Sequence, residues 1–244
     1  MMEEKDKNVS LNSQASDYVT SAAKAVLGTV PFVGSLLAEV AGTIIPNQRI
    51  DRIVKFAQIL EEKLSNLNQN FVRSQLTNEN FTDLLEEGLR QSARSLSDDR
   101  RGYLASVIAN SILLKDIEFI EAKHLLRILG EINDIEVIYL RANLIPTLGG
   151  DEEFREKHKN ILKTVDATFG ASQDILDKST LLKSYDEHLT QLGLLKHRYE
   201  INIRTKQTEF DPFNGGMKVS GYEITSLGKL LLRQIDLSES GDKG

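Results

Sequence analysis

An apolar stretch near the N-terminus constrains the fold of this chain more than any other feature. Residues 18–46 read YVTSAAKAVLGTVPFVGSLLAEVAGTIIP, and between residues 25 and 45 the only charged side chain is Glu39. The run is about as long as a membrane-spanning helix, ~20 residues. So much apolar surface must be buried, either in lipid or in the protein's own core.

Breaks in the middle of this stretch argue against one straight helix. Gly28, Pro31 and Gly34 interrupt it, because proline lacks an amide donor and glycine is a weak helix former. We therefore expect a helical hairpin, with helices at roughly residues 15–27 and 32–44.

Small residues in the second half of the stretch recur every four positions, at Gly34, Ala38 and Gly42. This spacing places them on one helix face, where another helix backbone can approach closely. Such packing fits an oligomeric membrane element, in which Glu39 would face a lumen or a partner. A hairpin buried in a soluble core is the alternative. The candidate membrane or pore residues are Val26, Phe32, Gly34, Leu37, Ala38, Glu39, Gly42 and Ile45.

The composition is that of a folded globular protein. The 244 residues are 40% hydrophobic and 27% charged, with a formal net charge of −6. An acidic chain has no overall field that attracts nucleic acid, so bulk DNA binding is disfavoured. The absence of cysteine excludes disulfides and thiolate zinc sites.

Helical periodicity dominates the region after the apolar stretch. Apolar residues recur at threes and fours from Ile50 to Leu67, which predicts a long amphipathic helix. Ser97 is a predicted N-cap, and Asn133 with Glu136 forms a predicted capping box. About five helices follow one another in this way, which predicts a helical bundle. The expected domains are residues 1–46 (polar tail and apolar hairpin), 47–148 (helical bundle), 149–237 (helical linker and winged-helix-like module) and 238–244 (disordered tail).

The C-terminal third of the chain changes character. Residues 175–195 read as one or two short helices, and HRYEINIR alternates Tyr199, Ile201 and Ile203 as a strand does. A turn sequence, a second strand and a closing helix complete it. This order is typical of a winged-helix-like α/β module. The predicted fold class is thus mainly α, a helical bundle with an N-terminal apolar hairpin and this module at the C-terminus.

No catalytic pattern accompanies these elements. GTVPFVGS lacks the lysine of a P-loop, and the four histidines show no HExxH spacing. No GxSxG elbow occurs. The sequence therefore predicts neither an enzyme nor a metal site nor a cofactor.

Two basic clusters are the remaining candidates for ligand binding. Arginine suits bidentate phosphate recognition, although surface arginines more often form salt bridges. The helix expected to precede the two C-terminal strands carries Asp186 and Glu187, which would repel a phosphate backbone. We therefore predict no sequence-specific DNA binding. The candidate ligand-binding residues are Arg90, Arg94, Arg100, Arg101, Arg198 and Arg204.

Several segments in this order resemble a known family. These are AVLGTVPFVGSLLAEVAGTIIPNQRIDRI, then LSDDRRGYLASVIANSILL, then LTQLGLL and GYEITSLGKLLLRQI. The chain is similar in these segments to bacterial abortive-infection proteins of the Abi-alpha type, encoded in anti-phage defence loci. The resemblance implies a defence role in which the apolar segment enters or disturbs the inner membrane.

The sequence-based hypothesis is therefore a homo-oligomeric pore or ion channel, inactive until infection. It would lie in the bacterial inner membrane, or in the cytoplasm with membrane association, and its partners would be membrane lipid, further copies of the chain, and a nucleotide ligand or partner defence protein. Two alternatives stay open. One is a soluble winged-helix regulator or adaptor with a buried apolar hairpin, and the other is a nucleotide-binding sensor subunit.

Overall fold

A computed structural model describes residues 30–40, 49–114, 116–145, 151–163, 170–211 and 215–238, with backbone alone for residues 38–40. The described part contains eleven α-helices and one two-stranded antiparallel sheet, which confirms the predicted mainly helical class. The chain divides into two compact units. The first comprises Met1–Gly130 with Gln234–Asp236, and the second comprises Glu131–Arg233 with Leu237–Gly244.

The first unit is a helical bundle. A short 3₁₀ turn, Gln75–Thr77, links its third and fourth helices. Its helices are α1 (Val33–Val40), α2 (Ile50–Leu64), α3 (Gln69–Ser74), α4 (Glu79–Arg94), α5 (Asp98–Leu113) and α6 (Phe119–Glu131), the last ending at the border of the second unit.

The core of this bundle forms where α2 packs on α5. The predicted amphipathic pattern of α2 is confirmed, because Ile53, Phe56 and Leu60 are all buried. Helix α4 approaches α5 closely at Gly88, where an added Cβ would lie 2.5 Å from Ile108 Cδ1. Glycine at this position therefore sets how near the two helices can pack.

Both predicted helix caps are present. The Ser97 hydroxyl accepts a hydrogen bond from the Arg100 amide at the start of α5. Asn133 and Glu136 form the expected reciprocal capping box, at 3.0 and 2.7 Å. These bonds satisfy amide donors that a helix N-terminus leaves unpaired.

The predicted membrane pore is wrong. Helix α1 has eight residues and is thus ~12 Å long, far short of the ~30 Å hydrocarbon core of a bilayer. Among the described residues, no helix combines the length and apolarity needed to cross a membrane. The expected helix at residues 32–44 is represented by α1 alone, the helix expected at 15–27 lies outside the described residues, and the hairpin is not confirmed.

The described part of the apolar stretch packs within the first unit instead. Val33, Leu36 and Leu37 are fully buried. Glu61 on α2 accepts hydrogen bonds from the amides of Phe32 and Val33, at 3.2 and 2.5 Å. A carboxylate at a helix N-terminus accepts hydrogen bonds from free amides and is attracted to the positive end of the helix dipole. Glu61 therefore fixes the entry into α1.

The second unit contains five helices and the sheet. Where the sequence allowed one or two short helices after residue 174, a single helix of 19 residues forms. Its elements are α7 (Asp134–Ala142), α8 (Glu152–Lys157), α9 (Lys159–Leu162), α10 (Gln173–Gln191), β1 (Leu195–Tyr199), β2 (Val219–Ile224) and α11 (Ser226–Gln234), whose last residue belongs to the first unit.

The two strands pair antiparallel, with Leu195 opposite Ile224 and Tyr199 opposite Val219. The register shifts between Arg198 and Tyr199, which is a bulge in the ladder. Gly221 beside it has φ +153°, a conformation that side-chain-bearing residues rarely adopt. The two strands follow a helix and precede the closing helix, which is the predicted order. In the described residues the sheet has these two strands.

Candidate functional site

Three of the four candidate arginines of the bundle make contacts within the first unit. Arg90 pairs with Glu86 at 2.8 Å. The Arg100 guanidinium donates to the carbonyl of Leu129 at 2.7 Å. Arg101 is buried. Its guanidinium pairs with Asp98 at 2.5 Å and donates to the Ser95 carbonyl at 2.9 Å.

These contacts give the arginines a structural role. The carbonyls that accept from Arg100 and Arg101 lie near the C-terminal ends of α6 and α4, where carbonyls lack helical partners and cations are favoured. Arg94 is exposed at the end of α4. The structure therefore does not gather the four guanidinium groups around one cavity for a phosphate.

The two candidate arginines of the second unit lie on the hairpin. Arg198 crosses Gly221, since an added Cβ there would lie 3.0 Å from Arg198 Nη2, and its Nε is 3.4 Å from Ser220 Oγ. Arg204 lies in a turn closed by Asn202, whose side-chain oxygen accepts from the Arg204 amide at 3.0 Å. Both side chains are exposed.

Of the candidate membrane residues, those whose burial the structure describes are not exposed. Phe32, Gly34 and Leu37 are buried in the first unit. Ala38 and Glu39 belong to α1, and Val26, Gly42 and Ile45 lie outside the described residues.

A polar cluster fixes the base of the hairpin to α10. Glu187 accepts hydrogen bonds from the Tyr222 hydroxyl at 2.8 Å and from His197 Nε2 at 3.2 Å. The rings of His197 and Tyr222 lie 5.4 Å apart. The hydrogen bonds from Tyr222 and His197 hold the pKa of Glu187 below its usual range, while burial and the Glu187 carboxylate raise the pKa of Tyr222.

A second polar contact attaches α10 to α7. His188 Nδ1 lies 2.6 Å from Glu136 Oε1, and the other oxygen of Glu136 caps α7. Glu136 is only 3% exposed. A buried carboxylate is tolerated where each oxygen has a hydrogen-bond partner, so this pair fixes the position of α10 rather than leaving a free acid.

Beyond its base, the hairpin branches into two turns. The Glu200 amide donates to the Lys218 carbonyl, the Lys218 amide to the Glu209 carbonyl, and the Glu209 amide to the Glu200 carbonyl, each at 2.8 Å. Lys218 also pairs with Glu200 at 2.7 Å. This closed ring of three backbone hydrogen bonds joins three segments of the hairpin at the point where it branches.

Large apolar side chains cover one face of the branched hairpin and remain exposed. Phe210 is 66% exposed and Ile201 58% exposed. Phe210 lies opposite Met217, and Tyr199 opposite Val219, so each pair shares a face. Residues two apart in extended chain return to the same face, which adds Ile201 to Tyr199. We call this surface the apolar arm, comprising Tyr199, Ile201, Phe210, Met217 and Val219.

Two open clefts lie elsewhere. One of about 280 Å³, in the first unit, is lined by Phe71, Phe119 and Glu118 among others. Another of about 410 Å³, in the second unit, is lined by Arg155 and lysines, but Arg155 donates to the carbonyls of Ala142 and Ile145. Among the described residues, no group of histidine and acidic side chains could hold a metal ion.

Sequence reasoning identified the strand that carries Tyr199 and Ile201 but not its exposure. Alternation indicates one apolar face and normally predicts burial of that face. The signal that could have revealed the arm is its length, because β1 and β2 extend past the residues that contact α10. A hairpin that extends beyond the helix on which it packs leaves its outer apolar residues uncovered.

Comparison of the chain with known proteins yields no match to any family model, any curated protein or any solved structure. The resemblance to abortive-infection proteins therefore stays a prediction.

Proposed function

We propose that this protein is a binding module that acts by docking another polypeptide on the apolar arm. The observation that carries the proposal is the exposure of five large apolar side chains on one face of a structurally fixed hairpin. Exposed apolar surface of this kind is costly in water and marks interaction sites. The partner must offer an apolar surface of its own.

The rigid base of the hairpin supports this role. Glu187, His197 and Tyr222 connect α10 to both strands, and the ring of backbone bonds joins the segments at the branch point. A docking surface that is already ordered loses little conformational entropy on binding. The order of α10, hairpin and α11 further supports a winged-helix-like module as the framework of the arm.

The other candidate function, a nucleotide sensor in the bundle, has weaker support. Arg90, Arg100 and Arg101 already donate to acceptors in the protein. Binding a phosphate at Arg100 or Arg101 would break their contacts with helix-end carbonyls of the first unit. The apolar arm needs no such rearrangement.

A photo-crosslinking experiment tests the proposal. The full chain would carry a photoreactive residue at position 201 or, as a matched control, at position 120, because Ile120 is 63% exposed but lies on α6 in the first unit. In the cells from which the gene comes, we expect one discrete adduct from position 201 and none from position 120.

Specificity is tested by adding Phe210→Asp to the position-201 protein, which should abolish the adduct. A chain that gives no adduct at position 201, or the same adduct from both positions, would show that the arm is not a docking surface.

A further inference from the structure

We propose that the partner docked on the apolar arm is a second copy of this chain, so that two arms pack against each other in a two-fold dimer. The inference rests on the proposed function and identifies its partner. Three features of the hairpin favour this partner, namely its charge, its open strand edges and the size of its apolar surface.

Charge favours self-association over binding to a strongly charged partner. Residues 196–223 contain five lysines and arginines and four acidic residues. Lys196 pairs with Glu223 at 3.4 Å and Lys218 with Glu200 at 2.7 Å, both within the same hairpin. A nearly neutral surface does not repel its own copy, whereas a surface selecting an acidic or basic partner carries an excess of one sign.

The strand edges provide backbone donors and acceptors next to the apolar face. In the described part of the chain, β1 and β2 pair only with each other, so each strand has one edge without a neighbouring strand. Unpaired edges readily join another strand, and identical antiparallel hairpins can meet this way about a two-fold axis.

The exposed area is of the size that a modest dimer needs. At their exposed fractions, the five side chains of the apolar arm present on the order of 500 Å² per copy. Standard interfaces bury ~800 Å² per partner, so the arm with its flanking polar residues would form an interface at the lower end of the specific range. We therefore expect a dissociation constant in the micromolar range, ~10⁻⁶ M.

The mass of the purified full chain tests this dimer. At concentrations above ~10 μM we expect twice the chain mass of 27.3 kDa in light scattering. Ile201→Asp should raise the dissociation constant at least tenfold, because it places a charge in the centre of the apolar contact. The matched control Ile120→Asp introduces the same charge at an equally exposed isoleucine of the first unit and should leave the dimer intact.

Three results would overturn the inference. They are a wild-type chain that stays monomeric at 100 μM, a dimer that survives Ile201→Asp unchanged, and equal weakening by both substitutions. Circular dichroism of each variant checks folding. Because Ile201 and Ile120 are both exposed, neither substitution is expected to unfold the protein.

The lack of cysteine allows a direct geometric test. A single cysteine replacing Val219 or Ile201 should form disulfide-linked dimers under mild oxidation, and one replacing Ile120 should not. If no disulfide forms and the chain is monomeric, yet position 201 still gives an adduct in cells, then the arm binds a different protein. In that outcome the dimer is wrong and the proposed function survives, while loss of both signals would refute both.

Discussion

Asp186 is a half-buried carboxyl on α10 whose ionisation opposes folding. Burial, and then the neighbouring Glu187 carboxylate, raise the pKa of Asp186 from 3.8 to about 6. The folded state therefore favours the neutral acid. The unfavourable contribution is absent below the unfolded pKa near 4, grows as pH rises from 4 to 6, and is complete above 6.

Asp186→Asn should consequently stabilise the protein at neutral pH. A shift of two pKa units corresponds to ~2.7 kcal/mol, which partial exposure of the side chain reduces to about 1 kcal/mol. We expect this gain in the free energy of unfolding at pH 7.5 and almost none at pH 4, measured by urea denaturation. Asp177→Asn, at an exposed acid of the same helix, is the control and should change the free energy of unfolding at pH 7.5 by much less.

Asp236 shows the opposite behaviour in the first unit. Burial would raise the pKa of Asp236, but hydrogen bonds from Lys63, Asn110 and Ser106 outweigh it and hold the pKa below 3.8. The stabilisation from this carboxylate is complete above the unfolded pKa of about 3.9 and is lost as pH falls through the folded value.

Asp236→Asn should therefore cost about 1 kcal/mol of the free energy of unfolding at pH 7, because the carboxylate is half exposed and its ion pair with Lys63 is screened. The deficit should shrink below pH 4. In a double-mutant cycle, adding Lys63→Met should cause little further loss; fully additive losses would mean that the two side chains act independently.

At the scale of elements, helix α11 reaches its position only because residue 228 is glycine. An added Cβ at Gly228 would lie 2.4 Å from the backbone oxygen of Leu194 and 2.8 Å from Ile224 Cγ1. A backbone atom cannot rotate away as a side chain can, so Gly228→Ala must displace α11 from the start of β1. We expect a loss of about 2 kcal/mol or more in the free energy of unfolding.

Gly102 on α5 is the matched control, since an added Cβ there meets nothing within 4 Å. Alanine is the better helix former, so Gly102→Ala should stabilise the protein by ~0.5–1 kcal/mol. Thermal and urea denaturation of the two variants should therefore give shifts of opposite sign. Equal and small effects would show that α11 is not held by close packing at Gly228.

At the scale of the whole molecule, charge sets which partners the chain attracts. The net charge is −6, and the acids of α10 include Glu187, which contacts the hairpin. We predict that the full chain binds duplex DNA no more tightly than ~10⁻⁴ to 10⁻⁶ M at physiological salt, the range of non-specific contacts. Fluorescence anisotropy with random and genomic duplexes measures this, and sequence-dependent nanomolar binding would contradict it.

Much of the fold could be predicted because its signals are local. The helical phase that buries Ile53, Phe56 and Leu60 depends on spacing within one helix, and the Ser97 and Asn133 caps depend on neighbouring residues. The alternation around Tyr199 similarly located a strand. Periodicity and capping are properties of the chain itself, so one sequence suffices to read them.

The candidate sites were harder to predict because exposure and pairing are not local. The same apolar residues that read as a membrane segment, such as Leu36 and Leu37, are buried against protein. Arg100 and Arg101 read as phosphate ligands, but carbonyls at helix ends accept their hydrogen bonds. Sequence shows that a side chain needs a partner without showing which partner it finds.

The sequence by itself determined the mainly helical class, the starts of α5 and α7, the lack of thiol chemistry and the order of the two strands and the closing helix, because each follows from residue type and spacing. Only the tertiary structure decided that Glu61 caps α1, that Glu187 joins Tyr222 and His197, and that the apolar arm is uncovered. These features depend on which distant segments contact each other and on how far the β-hairpin extends beyond α10. Hydropathy shows only that burying a side chain would be favourable. Whether the side chain is buried depends on the packing of the whole molecule.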